Sequence, residues 1–329
     1  MSMPARALAT GAGLLIGATT VSFVPSNEWW IRVLDFPRLQ IAVALAVVLA
    51  ACLVLVNRGR WRTMLVAGLA FALVAQLARI VPYTGLVEPE VASADSCGEG
   101  ARIRLFIANV EYANRDSRDL LAMVAATDPD VVLLTEPGAW WRSQLAPLAR
   151  ERPYTVLQPQ EDTWGMLLYS RFPLVQPQVR FLVEQDIPSI TARIRLPSGD
   201  HVQFYGVHPR PPRPGDDTGD RDTELKIIAR EIRGQRRRPA ILAGDLNDVA
   251  WSRTSRQLQQ TAALRDPRVG RGLFATFNAN LPAGFRWPLD HVFVSDEFAL
   301  CALERPGDIG SDHFPLLVDV LLQREGSHP

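Results

Sequence analysis

The chain has 329 residues, and its 35 Lys plus Arg are balanced by 35 Asp plus Glu. That length suffices for a sizeable core with an appendage, and zero net charge excludes an overall basic field that would advertise a nucleic-acid partner. The charge is unevenly placed, because residues 1–88 are mostly apolar and the remainder carries most of the acid and base.

Three apolar runs occupy 7–24, 39–56 and 63–80, each of about 18 residues, the lower end for a spanning helix. The first is rich in Gly and Thr, the second has no charge, and the third carries Gln76 and Arg79 near its far end. A secretory signal would account for the first run alone, and a buried core helix for any single one. Three in succession with short polar joints predict a membrane anchor of three transmembrane helices over 1–88. The joint 57–62 carries Arg58, Arg60 and Arg62 without an acid and is expected in the cytoplasm. The joint 25–38 mixes Glu28 and Asp35 with Arg32 and Arg38, has Trp29 and Trp30 as interfacial anchors, and is expected outside. The C-terminal domain is therefore expected to be extracytoplasmic.

Cys52 falls inside the second run and reads as a small apolar side chain. Cys97 and Cys301 fall in the outer part, where an oxidising compartment permits a disulfide. Two free thiols are the alternative, since spacing does not give geometry.

Residues 89–101 read as a polar linker, with Pro89, Ser93, Ser96 and Gly98. Beyond it the pattern is mixed α/β over 102–323, with a tail at 324–329. Strands are predicted at 103–110, 131–135 and 165–170, as a hairpin at 190–196 and 202–207, and at 240–243, 291–294, 299–303 and 316–322. Helices are predicted over 116–126, from Leu120, Leu121 and Val124, and over 222–233, whose Arg-rich end suits the helix dipole. Strands outnumber helices and several pair as hairpins. This predicts an α/β domain of two packed mixed β-sheets flanked by helices rather than a doubly wound parallel sheet. The loop 209–220, rich in Pro, Arg and Asp, is expected beside the site.

Polar groups punctuate these runs: Asn109-Val110, Thr135-Glu136, His208-Pro209, Gly244-Asp245-Leu246-Asn247, Leu289-Asp290-His291 and Gly310-Ser311-Asp312-His313-Phe314-Pro315. Each is expected at the C-terminal end of a strand, and strand ends at one sheet edge converge in space. The gathered set would suit a hard divalent cation and in-line attack on a phosphate ester. Glu136 alone would be an idle carboxylate at a strand exit; within the set it is a candidate metal ligand. Asn109 is a turn residue, or else orients Glu136 or touches the metal or its water. Asp245 and Asn247, two apart on extended backbone, face one side. Asp245 is the candidate acceptor of a proton from attacking water, and Asn247 the candidate holder of that water or of a phosphoryl oxygen. Gly244 is expected to let the backbone pass close to something such as the phosphate, and Asp248 reads as a plain turn residue. Asp312 is expected to face the metal and His313 the scissile phosphate. His291, on the opposite face of its strand, reads as structural, and His201 and His328 receive no role. Trp251 and Arg286-Trp287 either shape a pocket or pack.

Asn109-Val110, Thr135-Glu136, the stretch Gly165-Met166-Leu167-Leu168-Tyr169-Ser170-Arg171-Phe172-Pro173, Gly244-Asp245-Leu246-Asn247, Leu289-Asp290-His291 and Ser311-Asp312-His313 together resemble the endonuclease/exonuclease/phosphatase superfamily, in its order and over about 102–323. No one motif is specific; the ordered set is. The resemblance implies the deoxyribonuclease I-like fold, a four-layer α/β sandwich. It implies metal ligation by Glu136 and Asp312 with Asn109, and a hydrogen bond from His313 to Asp290. It also implies that His208 is a residue on the phosphate side. The expected cation is Mg²⁺, with Mn²⁺ the alternative. The apolar N-terminus resembles the bacterial membrane-anchored branch, which includes proteins linked to glycopeptide resistance. The expected function is hydrolysis of a phosphate ester, on a lipid-linked phosphate or phospholipid head group, at the outer side of the bacterial inner membrane. An extracytoplasmic nuclease, with Arg210, Arg213 and Arg221 tracking phosphates, and a non-catalytic binding module are the alternatives.

Overall fold

The computed structural model describes residues 3–323; the tail 324–329, with His328, lies outside them. Four helices open the chain: α1 (Met3–Ser22), the short α2 (Trp29–Arg32), α3 (Arg38–Leu55) and α4 (Arg60–Ile80). The three long ones pack around Ala12, Leu45, Cys52, Leu69 and Ala72. Their outer faces expose Val43, Val47, Val54, Phe71 and Val74. A helix in water turns its polar face outward, so this surface is inverted relative to a water-soluble bundle. By length and composition α3 and α4 can cross a membrane, and α1 does not qualify. This corrects the expectation of three such helices. Gly11, Gly13, Gly17 and Thr10, Thr19, Thr20 dilute the apolar character of α1.

The rest of the chain runs β1 (Arg102–Asn109), α5 (Arg118–Thr127), β2 (Val131–Thr135), α6 (Ala139–Gln144), β3 (Tyr154–Gln158), β4 (Met166–Ser170), β5 (Leu174–Arg180), β6 (Ser189–Arg195), β7 (His201–Val207), α7 (Gly219–Gly234), β8 (Ala240–Asp245), α8 (Arg253–Ala262), β9 (Asp290–Val294), β10 (Phe298–Glu304) and β11 (Leu316–Leu322). One sheet has the order β10-β11-β1-β2-β4-β3, the other β5-β6-β7-β8-β9. Both are mixed: β1 with β2 and β7 with β8 are parallel, and the other pairs antiparallel.

The sheets face each other across Leu105, Leu133, Phe204, Ile241 and Val318. Helices α5 and α6 cover the outer face of the first sheet around Phe106, Leu120 and Trp141. Helices α7 and α8 cover the second around Tyr205, Leu225 and Leu258. Four layers result, as the strand count implies. β2 and β4 are buried on both faces and therefore read as continuous apolar runs. Edge strands β3 and β5 escape the sequence pattern. β3 is only partly buried, and β5 carries Pro177 and a register shift beside Gln176, both features of edges.

The segment 89–101 is laid against the domain rather than hanging free. Val91 enters the core. Leu300 N donates to Ala92 O at 2.8 Å and Ala94 N to Leu300 O at 2.9 Å, and a disulfide joins Cys97 to Cys301.

The joint between α1 and α3 docks on the same domain. Trp251 Nε1 donates to Asp35 O at 2.7 Å, and just beyond α4 the Tyr83 hydroxyl donates to Ala250 O at 2.9 Å. Arg32 pairs with Asp35 at 3.0 Å and with Asp248 at 3.4 Å, and Arg221 shares Asp248 at 3.2 Å. All four side chains are buried. Asp248 is thus no plain turn residue, and Trp251 holds the anchor instead of lining a pocket. Removing one partner of a buried ion pair strands the other. Arg32→Met is expected to destabilise the full chain by about 3 kcal/mol, read as a lowered denaturation midpoint; an unchanged midpoint would show that Asp35 and Asp248 do not depend on it.

Candidate active site

The two parallel pairs place the site. β1 and β2 end together at Asn109 and Thr135, and β7 and β8 run side by side to Val207 and Gly244. Because the sheets are stacked, these ends meet at one edge of the sandwich. β9 and β11 are antiparallel to their neighbours and enter at that edge. Asp290 therefore opens β9 opposite Asp245, and Asp312 and His313 lead into β11. The expectation that every motif closes a strand holds for Asn109, Glu136, His208 and Asp245 and not for these three.

Gly244 has φ +141°, and a Cβ there would lie 1.9 Å from Val207 O. The close approach that requires glycine is to the β7 backbone, not to a ligand. This locks the β7 and β8 ends together.

Asp245 is the centre of the cluster. Its Oδ1 accepts from Asn247 N at 2.8 Å and its Oδ2 from Asn109 Nδ2 at 3.1 Å. The same Oδ2 lies 3.7 Å from Nε2 of both His208 and His313. Asp290 Oδ2 sits 2.8 Å from His313 Nδ1. The His313 ring lies against Phe277 at 4.8 Å and the His208 ring against Trp164 at 5.2 Å. Asn247 Nδ2 donates to Pro209 O at 3.0 Å, which ties it to the loop after β7. His291 is set apart, buried between the Asp248 carbonyl and Arg268.

A second acidic group adjoins the first through Asn109, whose Nδ2 also donates to Glu136 Oε1 at 2.8 Å. Tyr112 N donates to Glu136 Oε2 at 3.1 Å, and Asp312 N to Glu111 Oε2 at 3.1 Å. Ser311 Oγ donates to Asn109 O at 2.8 Å and accepts from His313 N at 3.0 Å. Glu111 is absent from the sequence-derived set, and Ser311, though inside one of its motifs, has no role there. The Asn109-Val110-Glu111 spacing, the same as that of Asp245 and Asn247, was the available signal for Glu111. Glu111, Glu136 and Asn247 have φ of 57°, 65° and 50°, a sparsely populated region for residues other than glycine.

Electrostatics divide the cluster. Burial raises the Asp245 carboxyl to about 6, against the opposing pull of His313 and His208. Burial alone would lower His313, but Asp290 and Asp245 outweigh it and push it up to about 10. Burial lowers His208, so near neutral pH the site pairs a charged imidazole with a neutral one. Burial raises Asp312, and Glu111 and Glu136 add to the effect. Both ring nitrogens of His208 are buried without a hydrogen-bond partner.

Two donor sets invite a cation. Asp245, Asp290 and His313 offer atoms within 4.8 Å of one another. His313 Nδ1 is already engaged by Asp290, however, and a protonated imidazole does not ligate. Glu136 and Asp312 offer carboxylate oxygens, the preference of Mg²⁺ and Mn²⁺, and Asn109 Oδ1, which accepts from Glu111 N at 2.9 Å, keeps a second lone pair. The acidic repulsion raising Asp312 is what such an ion relieves.

Residues 106–313 match the family described as Endonuclease/Exonuclease/phosphatase. The chain belongs to that family. It is a metal-dependent hydrolase of phosphate ester bonds. Similar solved structures include an endonuclease/exonuclease/phosphatase from Bacteroides vulgatus, with 18% identity and TM-score 0.55 over 68% of this chain and 99% of that one. D. rerio TDP2 complexed with single-strand DNA product has 16% identity and TM-score 0.54, over 67% and 99%. The human Nocturnin catalytic domain has 17% identity and TM-score 0.53, over 68% and 96%. At such identities the likeness establishes the fold. No curated protein sequence matches the chain.

Two predictions follow from the geometry of this family member. Gly244→Ala drives a methyl into the Val207 carbonyl and is expected to abolish folding or cost more than about 3 kcal/mol; a normal denaturation midpoint would contradict the close approach. Asp290→Asn is expected to lower the His313 pKa, measured by titrating its ring resonance. A pKa raised from 6.5 to about 10 stabilises the fold fully below 6.5 and fades as pH climbs through about 10. The variant therefore loses stability at pH 6 and little above pH 10, and equal losses at both would argue against the pair.

Proposed function

We propose that this protein is a membrane-anchored phosphoesterase that hydrolyses a lipid-linked phosphate or phospholipid head group outside the cytoplasm. The observation that carries this reading is the join between the apolar helices and the site-bearing domain. The inverted, apolar exterior of α3 and α4 is rooted through buried Arg32 in Asp248, the residue after Asn247. Tethering of this kind raises the effective concentration of a substrate in the same membrane. Arg58, Arg60 and Arg62 lie at the end of the α3–α4 hairpin opposite the domain, which supports an extracytoplasmic catalytic domain. Chain location in the bacterial inner membrane belongs to the same reading.

In the proposed mechanism Glu136 and Asp312, with Asn109, would hold a divalent cation, Mg²⁺ or Mn²⁺. When bound, that ion supplies Lewis-acid polarisation of the phosphoryl oxygen. Asp245, its proton affinity raised toward neutrality by burial, takes the proton of the attacking water. Asn109 and the Asn247 amide fix the orientation of the Asp245 carboxylate. Asp290 holds His313 charged and aimed, as a carboxylate does beneath a catalytic imidazole. Charged His313 and the unpartnered His208 stabilise the electron-rich transition state. Asn247 positions the water or a phosphoryl oxygen.

A nuclease shares these groups and would add free cations along the cleft. Of the three arginines suited to that task, Arg210 pairs with Glu184 and Asp186, and Arg221 is buried against Asp222 and Asp248. Arg213 lies over the Trp164 ring. Arg213 alone of the three is left without a carboxylate partner among the described residues, which favours the lipid substrate over DNA.

The full chain in lipid–detergent micelles, with Mg²⁺ or with EDTA, is to be offered phospholipids, lipid-linked phosphates, a generic phosphodiester, a phosphomonoester and plasmid DNA. Metal-dependent turnover of a lipid phosphate is expected, and DNA nicking alone would overturn the substrate class. Asp245→Ala and His313→Ala are each expected to lower kcat by at least about a hundredfold; wild-type rates in either would remove that residue from the mechanism.

A further inference from the structure

The loop 278–286 lies between the catalytic cluster and the start of α3. On one side Ala279 N donates to the Asp312 carbonyl at 2.7 Å. On the other, Gln40 in the first turn of α3 donates Nε2 to Gly284 O at 2.7 Å. Phe36, just before α3, meets Trp287 edge-on at 6.1 Å. From this loop Leu281 and Phe285 stand 38% and 55% exposed, and Trp30 and Val33 of the adjoining joint stand 49% and 40% exposed. A single exposed apolar side chain needs no explanation. Several from separate segments, at the level where an apolar helix begins, form a membrane-interface belt.

The same loop carries unneutralised charge. The guanidiniums of Arg286 and Arg305 lie over the Phe314 ring, 4.7 and 4.0 Å from its centroid. Phe314 follows His313. Arg286 donates only to the Leu281 and Ala279 carbonyls, and Arg305 Nη1 is buried without a partner. No carboxylate pairs with either arginine among the described residues. Two like charges over one ring repel, and a buried hydrogen-bonding group left unpaired is costly. A phosphate at this ring offsets the repulsion by accepting from the N–H groups of Arg286 and Arg305 that make no hydrogen bond within the protein.

We infer that the loop 278–286 together with Arg305 is a lipid-binding lip: Leu281 and Phe285 enter the head-group boundary, and Arg286 and Arg305 hold the phosphate of an anionic phospholipid beside the catalytic cleft. The inference rests on the membrane-anchored reading and adds the segment that meets the bilayer. It also gives the cleft an entry side facing lipid.

The test uses the full chain in nanodiscs of phosphatidylcholine with and without phosphatidylglycerol. Phe285→Cys carries an environment-sensitive dye, with Cys52→Ala to leave no other free thiol. Val47→Cys, on the outer face of α3, carries the same dye as the reference for membrane insertion. Brominated acyl chains are expected to quench the dye at both positions. Quenching at 285 is expected to strengthen with phosphatidylglycerol and to lose that dependence in Arg286→Gln/Arg305→Gln. Quenching at 47 with solvent-like emission at 285 would overturn the lip while leaving the anchor intact. Solvent-like emission at both would remove the anchored reading itself. Equal quenching at 285 with and without phosphatidylglycerol would overturn the phosphate site.

Discussion

One carboxylate oxygen, Asp245 Oδ2, stands at 3.7 Å from two imidazoles and 3.1 Å from the amide of Asn109. Buried groups of opposite charge at such separations cannot titrate independently. Asp290 holds His313 as the cation, while burial keeps His208 the neutral ring. Among the described residues no Lys or Arg forms an ion pair with Glu136 or Asp312. The proposed division of the pocket, a proton-handling half beside a cation-holding half, rests on that one arrangement. Asn109 belongs to both, since a single amide nitrogen bridges Asp245 and Glu136.

The arrangement depends on topology more than on any loop. Parallel pairing in the middle of each sheet delivers two strand ends per sheet to one edge, and antiparallel neighbours return Asp290 and His313 to it. Gly244 keeps β8 close enough to β7 for His208 and Asp245 to face each other. The anchor contributes from behind. Arg32 and Arg221 converge on Asp248, whose backbone carbonyl in turn meets His291. The N-terminal helices and the strand that carries Asp245 are therefore one packed unit, and the covalent tie between Cys97 and Cys301 fastens the connecting segment to the same sheet.

Much of this was legible from residue order. Strands buried on both faces, such as β2 and β4, announce themselves as apolar runs, and the polar groups that interrupt the runs are the ones that converge. What stayed hidden had physical reasons. β5 is an edge strand broken by Pro177, and α8 buries two polar residues, Thr254 and Ser255, beside Leu258 and Ala262. Glu111, a lone acid after a strand, looks in sequence like a solvated turn. The ion pairs of Asp248 are invisible in sequence because its two arginine partners are remote, one of them in the N-terminal joint. The first apolar run has the length of a span without its composition, so two helices qualify rather than three.

The most direct test of the divided pocket is a crystal structure of the full chain soaked with Mn²⁺, with the ion located by its anomalous scattering. A peak bounded by Glu136, Asp312 and Asn109, with the Asp290–His313 hydrogen bond intact, is the predicted result. A peak held by Asp245, Asp290 and His313, with that hydrogen bond broken, would contradict it.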